Sequence, residues 1–319
     1  MLPAAAAAVA TGVLVSETAY KAERNLAPMT ASRDYVLPHQ IFPGPKPDSP
    51  VLVFLHGWPD DITVFQPYAQ KLSSEYHCVN CGLPGYDLPF NFAGHRGTIP
   101  NRQWGFGLDE VVWAWKATID LALQDRPNSD GGVTLVAHDW GCILAHLLVA
   151  SGLIKVNRIV SLDVGSRPGG WTPMFLALCI AYQLLLCVFF MLPKVVGDLL
   201  TSVEVVGLGR PQFNTQGFRV SASRNYPYRA AWREWFSTEQ KINIRQGFYF
   251  SPPPDLPYLF LYCELFPKSA RFYDQTFVDA VCAGSKRSKA IAMPGTHWFV
   301  GTHPEETMAH IAAFLHDSD

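Results

Sequence analysis

The stretch Val133–Gly141, with the sequence Val-Thr-Leu-Val-Ala-His-Asp-Trp-Gly, decides the fold of this 319-residue chain. Its first five residues form a short apolar run typical of a buried strand, and the run Cys142–Ala150 that follows is helical in character. Asp139 stands between them, flanked by Ala137 and Gly141 two positions away on either side. A sharp strand-to-helix turn tolerates only small neighbours and lifts the central side chain above the sheet edge. Asp139 is therefore either an exposed nucleophile or only the N-cap of the helix.

Working outward, other apolar runs alternate with helical segments. The runs that predict strands are 51–55, 76–80, 158–162, 258–262 and 289–293, and the helical segments include 104–123 and 310–316. This alternation predicts an α/β fold with a mostly parallel central sheet flanked by helices. The rhythm stops within 166–250, which is too long for a loop in a compact domain. We therefore expect a core formed by 31–165 and 251–319, with 166–250 inserted as a helical cap.

Two further loops that follow predicted strands carry residues suited to catalysis. His56-Gly57-Trp58-Pro59 follows the first strand, at the position whose backbone N–H groups supply an oxyanion site in α/β-hydrolases. His297 follows the last strand and is expected at the carboxyl edge of the sheet, where ligands bind in open α/β folds. A lone histidine is more often a capping or core residue. However, a nucleophile first and a histidine last is the α/β-hydrolase chain order.

The segments His56–Pro59 and His138–Gly141 together resemble the epoxide hydrolases of the α/β-hydrolase superfamily, and the resemblance extends over 32–316. In that family an aspartate opens the epoxide to form an ester, two cap tyrosines hydrogen-bond the oxirane oxygen, and a histidine activates water. The resemblance implies that Asp139 is the nucleophile and His297 the base. The positions that it implies around the oxyanion site and pocket are His56, Trp58, Pro59 and Trp140.

Candidates for the two cap tyrosines lie within the predicted insertion. Tyr182, in Tyr182-Gln183, resembles the segment that carries the first tyrosine. The stretch Asn225–Arg229 resembles the family's Asn-aromatic-Tyr-Arg with one residue inserted, which makes Tyr228 the better match and Tyr226 the second choice. Ordinary aromatic packing is the alternative role for each. A phenol suits the chemistry because it donates a hydrogen bond to a developing alkoxide while it remains neutral.

The expected triad acid is missing from its usual place. Most relatives carry an Asp shortly after the fifth core strand, where this chain has Phe266. His297 then needs an orienting carboxylate from elsewhere. Asp163, after the fourth strand, is our first choice because some related dehalogenases place their acid there, although it also suits a turn before Gly165. Glu264 is the alternative, and the absence of any acid remains open.

Composition limits the partners and the compartment. The chain has 16% charged residues, a formal net charge of −2 and no basic stripe, so nucleic acid is not an expected partner. Its seven cysteines are scattered and odd in number, which argues against a disulfide framework and favours a reducing, cytoplasmic location. Cys78 and Cys81 have C-x-x-C spacing without a second pair, so strand packing is favoured over metal or redox chemistry. We expect no metal and no organic cofactor, and the oligomeric state is open.

Two apolar segments raise the question of membrane contact. Residues 1–30 are predicted to form an apolar N-terminal helix or tail, with a cleaved signal or anchor as the alternative. The run 174–192 contains nineteen residues without a charge, enough to span a bilayer by length alone. Because hydrolase motifs lie on both sides of it, we expect a buried helix. Peripheral membrane association through this cap helix remains an alternative.

Three functions compete on this fold. The first is hydrolysis of an epoxide on a small, apolar, lipid-like substrate, because the insertion is rich in Leu, Phe, Val and Cys. The second is a dehalogenase that uses Asp139 and His297, with the Trp140 indole holding halide, although the dehalogenases compared carry Asn where Trp58 stands. The third is a non-catalytic binding or membrane-associated protein. A serine esterase is disfavoured by the Asp at the turn, and fold alone does not decide between functions.

Overall fold

A computed structural model of the chain describes residues 35–88, 91–100, 102–124, 126, 131–166, 173–211, 220–237, 242–264 and 271–317. Two of the predictions lie outside these residues, namely the apolar segment 1–30 and the position of Phe266. Within the described part, seven strands form one sheet in the order β1-β3-β2-β4-β5-β6-β7. The strands are β1 (His39–Phe42), β2 (Val51–Leu55), β3 (His77–Cys81), β4 (Val133–His138), β5 (Val156–Leu162), β6 (Tyr258–Cys263) and β7 (Lys289–Met293).

The helices of the described part cover the sheet and form the insertion between β5 and β6. They are α1 (Gln66–Leu72), α2 (Leu108–Leu123), α3 (Trp140–Ala150), α4 (Pro173–Met191), α5 (Lys194–Gly207), α6 (Tyr226–Trp235), α7 (Arg245–Phe248), α8 (Gln275–Ala283), α9 (Phe299–Thr302) and α10 (Pro304–His316). Short 3₁₀ turns occur at Ile62–Val64 and Ala222–Asn225. Helices α4 to α7 lie within the predicted cap.

The central strands are buried on both faces because their sequences are continuous apolar runs. Side chains alternate between the two faces along each strand. On β2, Val53 and Leu55 pack with α2 and α3 on one face. Leu52 and Phe54 pack with α1 and α10 on the other. All neighbouring strands are parallel except β1 and β3, so the carboxyl ends of β2, β4, β5, β6 and β7 point towards the same edge.

The sequence predictions miss several details of this architecture. The edge strand β1 was not predicted because its sequence, His-Gln-Ile-Phe, is too short and polar to give a strand pattern. The second predicted strand lies one residue later, at His77–Cys81. Helix α2 begins at Leu108 rather than at 104, with Gly107 at its N-cap. The last two are shifts of boundaries, and they leave the order of the predicted elements unchanged.

The prediction that the apolar run 174–192 forms a buried helix is wrong in one respect. The run does form a helix, α4, but within it Cys179 and Leu186 are the buried side chains. Met174 is 74% exposed and Leu178 is 59% exposed. In the described part of the chain, α4 is the one helix with the length and hydropathy to cross a membrane. It packs against α5 and α6 within the predicted cap.

Candidate active site

Asp139 lies at a strained turn between β4 and α3. Its backbone adopts φ 52° and ψ −121°, a left-handed region that L residues rarely enter. The turn brings the chain so close to β2 that a Cβ on Gly141 would lie 2.1 Å from the Leu55 carbonyl oxygen. A Cβ on Gly57 would lie 2.4 Å from the Asp139 Cβ. Glycine at both positions therefore permits this close approach.

Backbone N–H groups surround the Asp139 carboxylate. The Trp58 N–H donates to Asp139 Oδ1 over 2.6 Å, and the Trp140 N–H also hydrogen-bonds this carboxylate. Burial raises the pKa of Asp139, but its hydrogen bond and attraction to His297, its attraction to His138 and the Trp140 N–H together hold the pKa below its ordinary value. Asp139 does not cap α3 with its side chain. The alternative role of a simple N-cap is thus not the one seen.

His297 lies between two carboxylates. Its Nε2 is 3.5 Å from Asp139 Oδ2, and its Nδ1 is 2.7 Å from Asp163 Oδ2. Burial lowers the pKa of His297, yet the hydrogen bonds and charges of Asp139 and Asp163 outweigh this effect and raise the pKa to about 10. The raised pKa favours a protonated imidazole ring at His297 in the free site, between Asp139 and Asp163.

Asp163 is placed for this contact by an unusual backbone conformation. Its φ is 63°, directly after β5, and its Oδ1 accepts from the Cys263 N–H over 2.7 Å. One oxygen thus fixes the carboxylate to β6 while the other faces His297. The alternative acid, Glu264, is exposed to solvent. Among the described carboxylates, Asp163 is the one that meets Nδ1.

A cavity of about 390 Å³ opens above Asp139 and His297. Both predicted cap tyrosines line it, Tyr182 from α4 and Tyr228 from α6, with their ring centroids 5.9 Å apart. Burial raises the pKa of each phenol well above its ordinary value, so both stay protonated near neutral pH. The second choice, Tyr226, is not part of this cavity. Its ring packs against Tyr86 and Phe106 on another side of α6.

The other predicted pocket residues divide into lining and supporting positions. Trp58 lines the cavity. The Trp140 ring packs edge-on against Tyr228, with centroids 5.2 Å apart. His56 is fully buried beneath the loop, where its Nε2 accepts from the Leu83 N–H over 3.1 Å. Desolvation lowers the pKa of His56 to about 4, so it is neutral and holds the loop. Pro59 contributes its carbonyl, which accepts from Arg224 over 2.8 Å.

Comparison with known proteins is in agreement with the fold. A family model described as "Alpha/beta hydrolase family" matches residues 52–310. The chain belongs to the α/β hydrolase family. The predicted α/β-hydrolase fold is thereby confirmed, and membership of this family identifies the protein as a hydrolase.

Individual relatives are distant. The chain is 20% identical to "Epoxide hydrolase 1" of Caenorhabditis elegans over 60% of its own length and 44% of that protein. It therefore spans less than half of this curated relative. Among solved structures, an inhibitor complex of Bacillus megaterium epoxide hydrolase has a TM-score of 0.58 at 16% identity, covering 88% of this chain and 99% of that one. An esterase from a marine microorganism has a TM-score of 0.57 at 14% identity, with the same coverage. These structures show the fold that the hydrolase shares.

Several residues that support the site were not singled out from the sequence. Asn225 accepts from the Trp58 indole N–H over 2.9 Å, and its amide donates to Thr201 over 2.8 Å. The signal was present, because Asn225 opens the segment in which Tyr228 was found. His138 Nε2 donates to the His297 carbonyl over 3.0 Å, which fixes the backbone of the histidine. Phe272 also packs against the His297 ring, and nothing in the surrounding sequence indicates this contact.

The described residues contain no group of three or more His, Cys, Asp or Glu suited to a metal ion. Cys78 and Cys81 are buried free thiols in β3, and desolvation raises the pKa of each to about 12. A thiol with such a pKa is a poor nucleophile and a poor metal ligand. The residues at the cavity thus supply the partly buried Asp139 carboxylate, an imidazole, two phenols and two backbone N–H groups, and the Glu204 carboxylate also lies on the lining.

Proposed function

We propose that this hydrolase converts an epoxide on a small, apolar, lipid-like molecule to a vicinal diol through an ester on Asp139. The single observation that carries the proposal is the position of Tyr182 and Tyr228. Two neutral phenols line the same cavity as a buried carboxylate nucleophile. A carboxylate nucleophile alone is suited to many displacement reactions. Two phenols opposite it are suited to a strained ether, whose oxygen must be protonated as the ring opens.

In the first step, Asp139 Oδ2 attacks an oxirane carbon. The Trp58 N–H holds Oδ1, which leaves Oδ2 for the new bond. As this C–O bond forms, the ring C–O bond breaks and its electron pair stays on the oxirane oxygen. Tyr182 and Tyr228 hydrogen-bond that oxygen, and one of them supplies the proton. The product is a hydroxyalkyl ester of Asp139.

In the second step, water attacks the ester carbonyl carbon while His297 Nε2 takes the proton. Esterification removes the negative charge of Asp139, one of the groups that hold the pKa of His297 near 10. The pKa of His297 therefore falls once the ester exists, and the imidazolium proton passes to the tyrosine that was deprotonated in the first step. The neutral imidazole can then act as a base. The Trp58 and Trp140 N–H groups stabilise the oxyanion on Oδ1. Collapse of the tetrahedral intermediate breaks the ester C–O bond, and the new hydroxyl group gives its proton to the leaving alkoxide. The diol is released, the Asp139 carboxylate is regenerated, and His297 is again protonated.

The apolar character of the cavity supports the substrate class. Phe175, Leu178, Cys179 and Leu208 contribute to its lining, together with the aromatic residues of the site.

All seven cysteines are free thiols, which supports a reducing compartment such as the cytoplasm as the place of action.

Trapping of the ester tests the proposal. His297→Gln should react with an apolar epoxide and stop at the ester, so intact-mass spectrometry should show a gain equal to one epoxide on Asp139. Asp139→Ala is the matched control, and it should remain unmodified. A parallel panel of haloalkanes separates the dehalogenase alternative, because displacement of halide adds an alkyl group without the extra hydroxyl. If neither panel labels His297→Gln and the wild type forms no diol, the proposal is wrong.

A further inference from the structure

An exposed apolar surface lies on the outside of the cap. We define the apolar cap surface by three residues of α4 and three of α5. These residues are Met174, Leu178, Leu185, Val195, Leu199 and Val203, exposed by 74%, 59%, 45%, 83%, 64% and 62% respectively. Single exposed apolar side chains are normal, but groups of them on adjoining helices mark interaction sites.

The sequence of α5 shows that this surface is not an accident of packing. Gly197, Thr201 and Val205, at a spacing of four residues, are the buried positions of the helix. Gly197 faces α4 so closely that a Cβ there would lie 2.4 Å from the Phe189 carbonyl oxygen. The opposite positions, Val195 and Leu199 among them, would be polar in a helix that faces only water. Here α5 is apolar on both its buried face and its outer face.

The apolar cap surface continues into the mouth of the catalytic cavity. Leu178 belongs to the surface and also lines the cavity. Leu208, just after α5, lines the cavity and is 37% exposed. A protein partner or a second copy seated here would cover the mouth. A lipid layer would instead place apolar molecules next to it.

The charges of the two helices indicate which kind of lipid contact is expected. Helix α4 has no charged residue, and α5 has Lys194, Asp198 and Glu204. Lys194 Nζ lies 2.8 Å from Asp198 Oδ2, so its charge is already balanced. Glu204, which lines the cavity, leaves the two helices with one net negative charge, so attraction to anionic headgroups is not the driving force. The expected driving force is insertion of the apolar side chains into the lipid.

We propose that the apolar cap surface inserts into the interfacial layer of a lipid bilayer, with α4 and α5 lying along the membrane and the cavity mouth facing the acyl chains. Docking by itself is independent of the catalytic proposal. Its consequence, that the substrate enters from the lipid phase, rests on the proposed epoxide hydrolysis.

The test is sedimentation of the full chain with phosphatidylcholine vesicles. We compare the wild type with the double variant Leu199→Glu/Val203→Glu, which changes outward positions that do not line the cavity. The matched control is Leu121→Glu/Ile41→Glu, which also replaces one leucine and one β-branched residue with glutamate. Leu121 and Ile41 lie outside the predicted cap and are 43% and 44% exposed. Thermal melting and turnover of a water-soluble epoxide show that each variant is folded.

The wild type and the control should bind the vesicles alike. The cap variant should bind on the order of 100-fold more weakly, from loss of two inserted side chains. Adding about one fifth phosphatidylserine, or raising the salt, should change the binding little. Equal binding by the cap variant, or binding that salt abolishes, would overturn the proposal. So would a wild-type dimer that only the cap variant converts to a monomer, since a second copy would then occupy the surface. Vesicle binding with no activity on any epoxide would instead leave docking intact and refute the proposed function.

Discussion

Replacing Asp163 with Asn separates orientation of His297 from attack by Asp139. In the wild type, both Asp163 oxygens accept a hydrogen bond, Oδ1 from the Cys263 N–H and Oδ2 from His297 Nδ1. An asparagine has one accepting oxygen and one donating NH₂. If its oxygen keeps the Cys263 N–H, its NH₂ must face Nδ1. That contact favours the tautomer with the proton on Nε2, which has no lone pair to accept a proton from water.

The opposite orientation of the amide is disfavoured. It would set the NH₂ against the Cys263 N–H and leave a buried donor unsatisfied, which costs about 1–3 kcal/mol. We therefore expect hydrolysis of the ester to slow on the order of 10³- to 10⁴-fold, the scale on which an amide disables an orienting carboxylate in a hydrolase triad. Ester formation takes no proton through His297, so it should slow by about tenfold or less.

Rapid-quench kinetics with intact-mass detection measures both steps. Asp163→Asn should give a burst of about one ester per site and then near arrest. Glu264→Gln is the matched control, because it removes the exposed carboxylate next to the missing acid, and it should behave as the wild type. The reasoning is refuted if Glu264→Gln accumulates ester while Asp163→Asn turns over normally. It is equally refuted if both half-reactions slow together in folded Asp163→Asn.

The other predictions concern the phenols, the elbow and the cap. Tyr182→Phe and Tyr228→Phe should each slow ring opening by roughly 10- to 1000-fold and the double variant should be nearly inactive, as measured by single-turnover kinetics; an active double variant contradicts the phenol roles. Gly57→Ala should destabilise the fold by about 1–3 kcal/mol in denaturant titrations and abolish ester formation, because its Cβ meets Asp139. Burial, then repulsion by Asp109, raises the pKa of Glu234 from 4.5 to about 7. The unfolding free energy should therefore fall by up to about 3 kcal/mol as pH rises from 4.5 through 7, and this slope should be absent in Glu234→Gln.

The order of the elements was predictable because the apolar central strands must be buried in the interior of the protein. Continuous apolar runs such as 51–55 and 133–137 must be covered on both faces, and the intervals between successive runs have room for helices, with 166–250 much longer than one helix needs. The edge strand β1 escaped prediction because a strand with one neighbour needs little apolar character. Its contacts come from pairing with β3, which a local pattern does not reveal.

The surroundings of α4 were wrongly predicted for a related reason. An apolar composition indicates that a helix avoids water, but not whether it meets protein or lipid. We assumed protein, because the motifs on both sides belong to a globular fold. The structure instead buries a stripe that contains Cys179 and Leu186 and leaves Met174 exposed. The same composition that misled the burial prediction is the basis for proposing a lipid contact.

The positions of the proposed triad residues show how much can be predicted from the ends of strands. Chain order predicted that Asp139 and His297 would meet, since β4 and β7 end at one edge. It left Asp163 and Glu264 open, because β5 and β6 are neighbours and end at that same edge. The sequence pattern does not contain what separates them. At Asp163 a φ of 63° turns the carboxylate towards Nδ1, and a hydrogen bond from the adjacent β6 holds it there.

His297 needs an orienting carboxylate next to its Nδ1, and residues at different positions in the chain can supply it. Leu162 at the end of β5 is paired with Leu261 of β6, so the residues that leave these two strands emerge side by side. A carboxylate from either strand end therefore starts within reach of His297. With Asp163 hydrogen-bonded to Nδ1 of His297 and to the Cys263 N–H, a second acid after β6 would place another negative charge at the same nitrogen, next to Asp163, which is unfavourable in a buried site. A phenylalanine at position 266 is thus compatible with a complete triad.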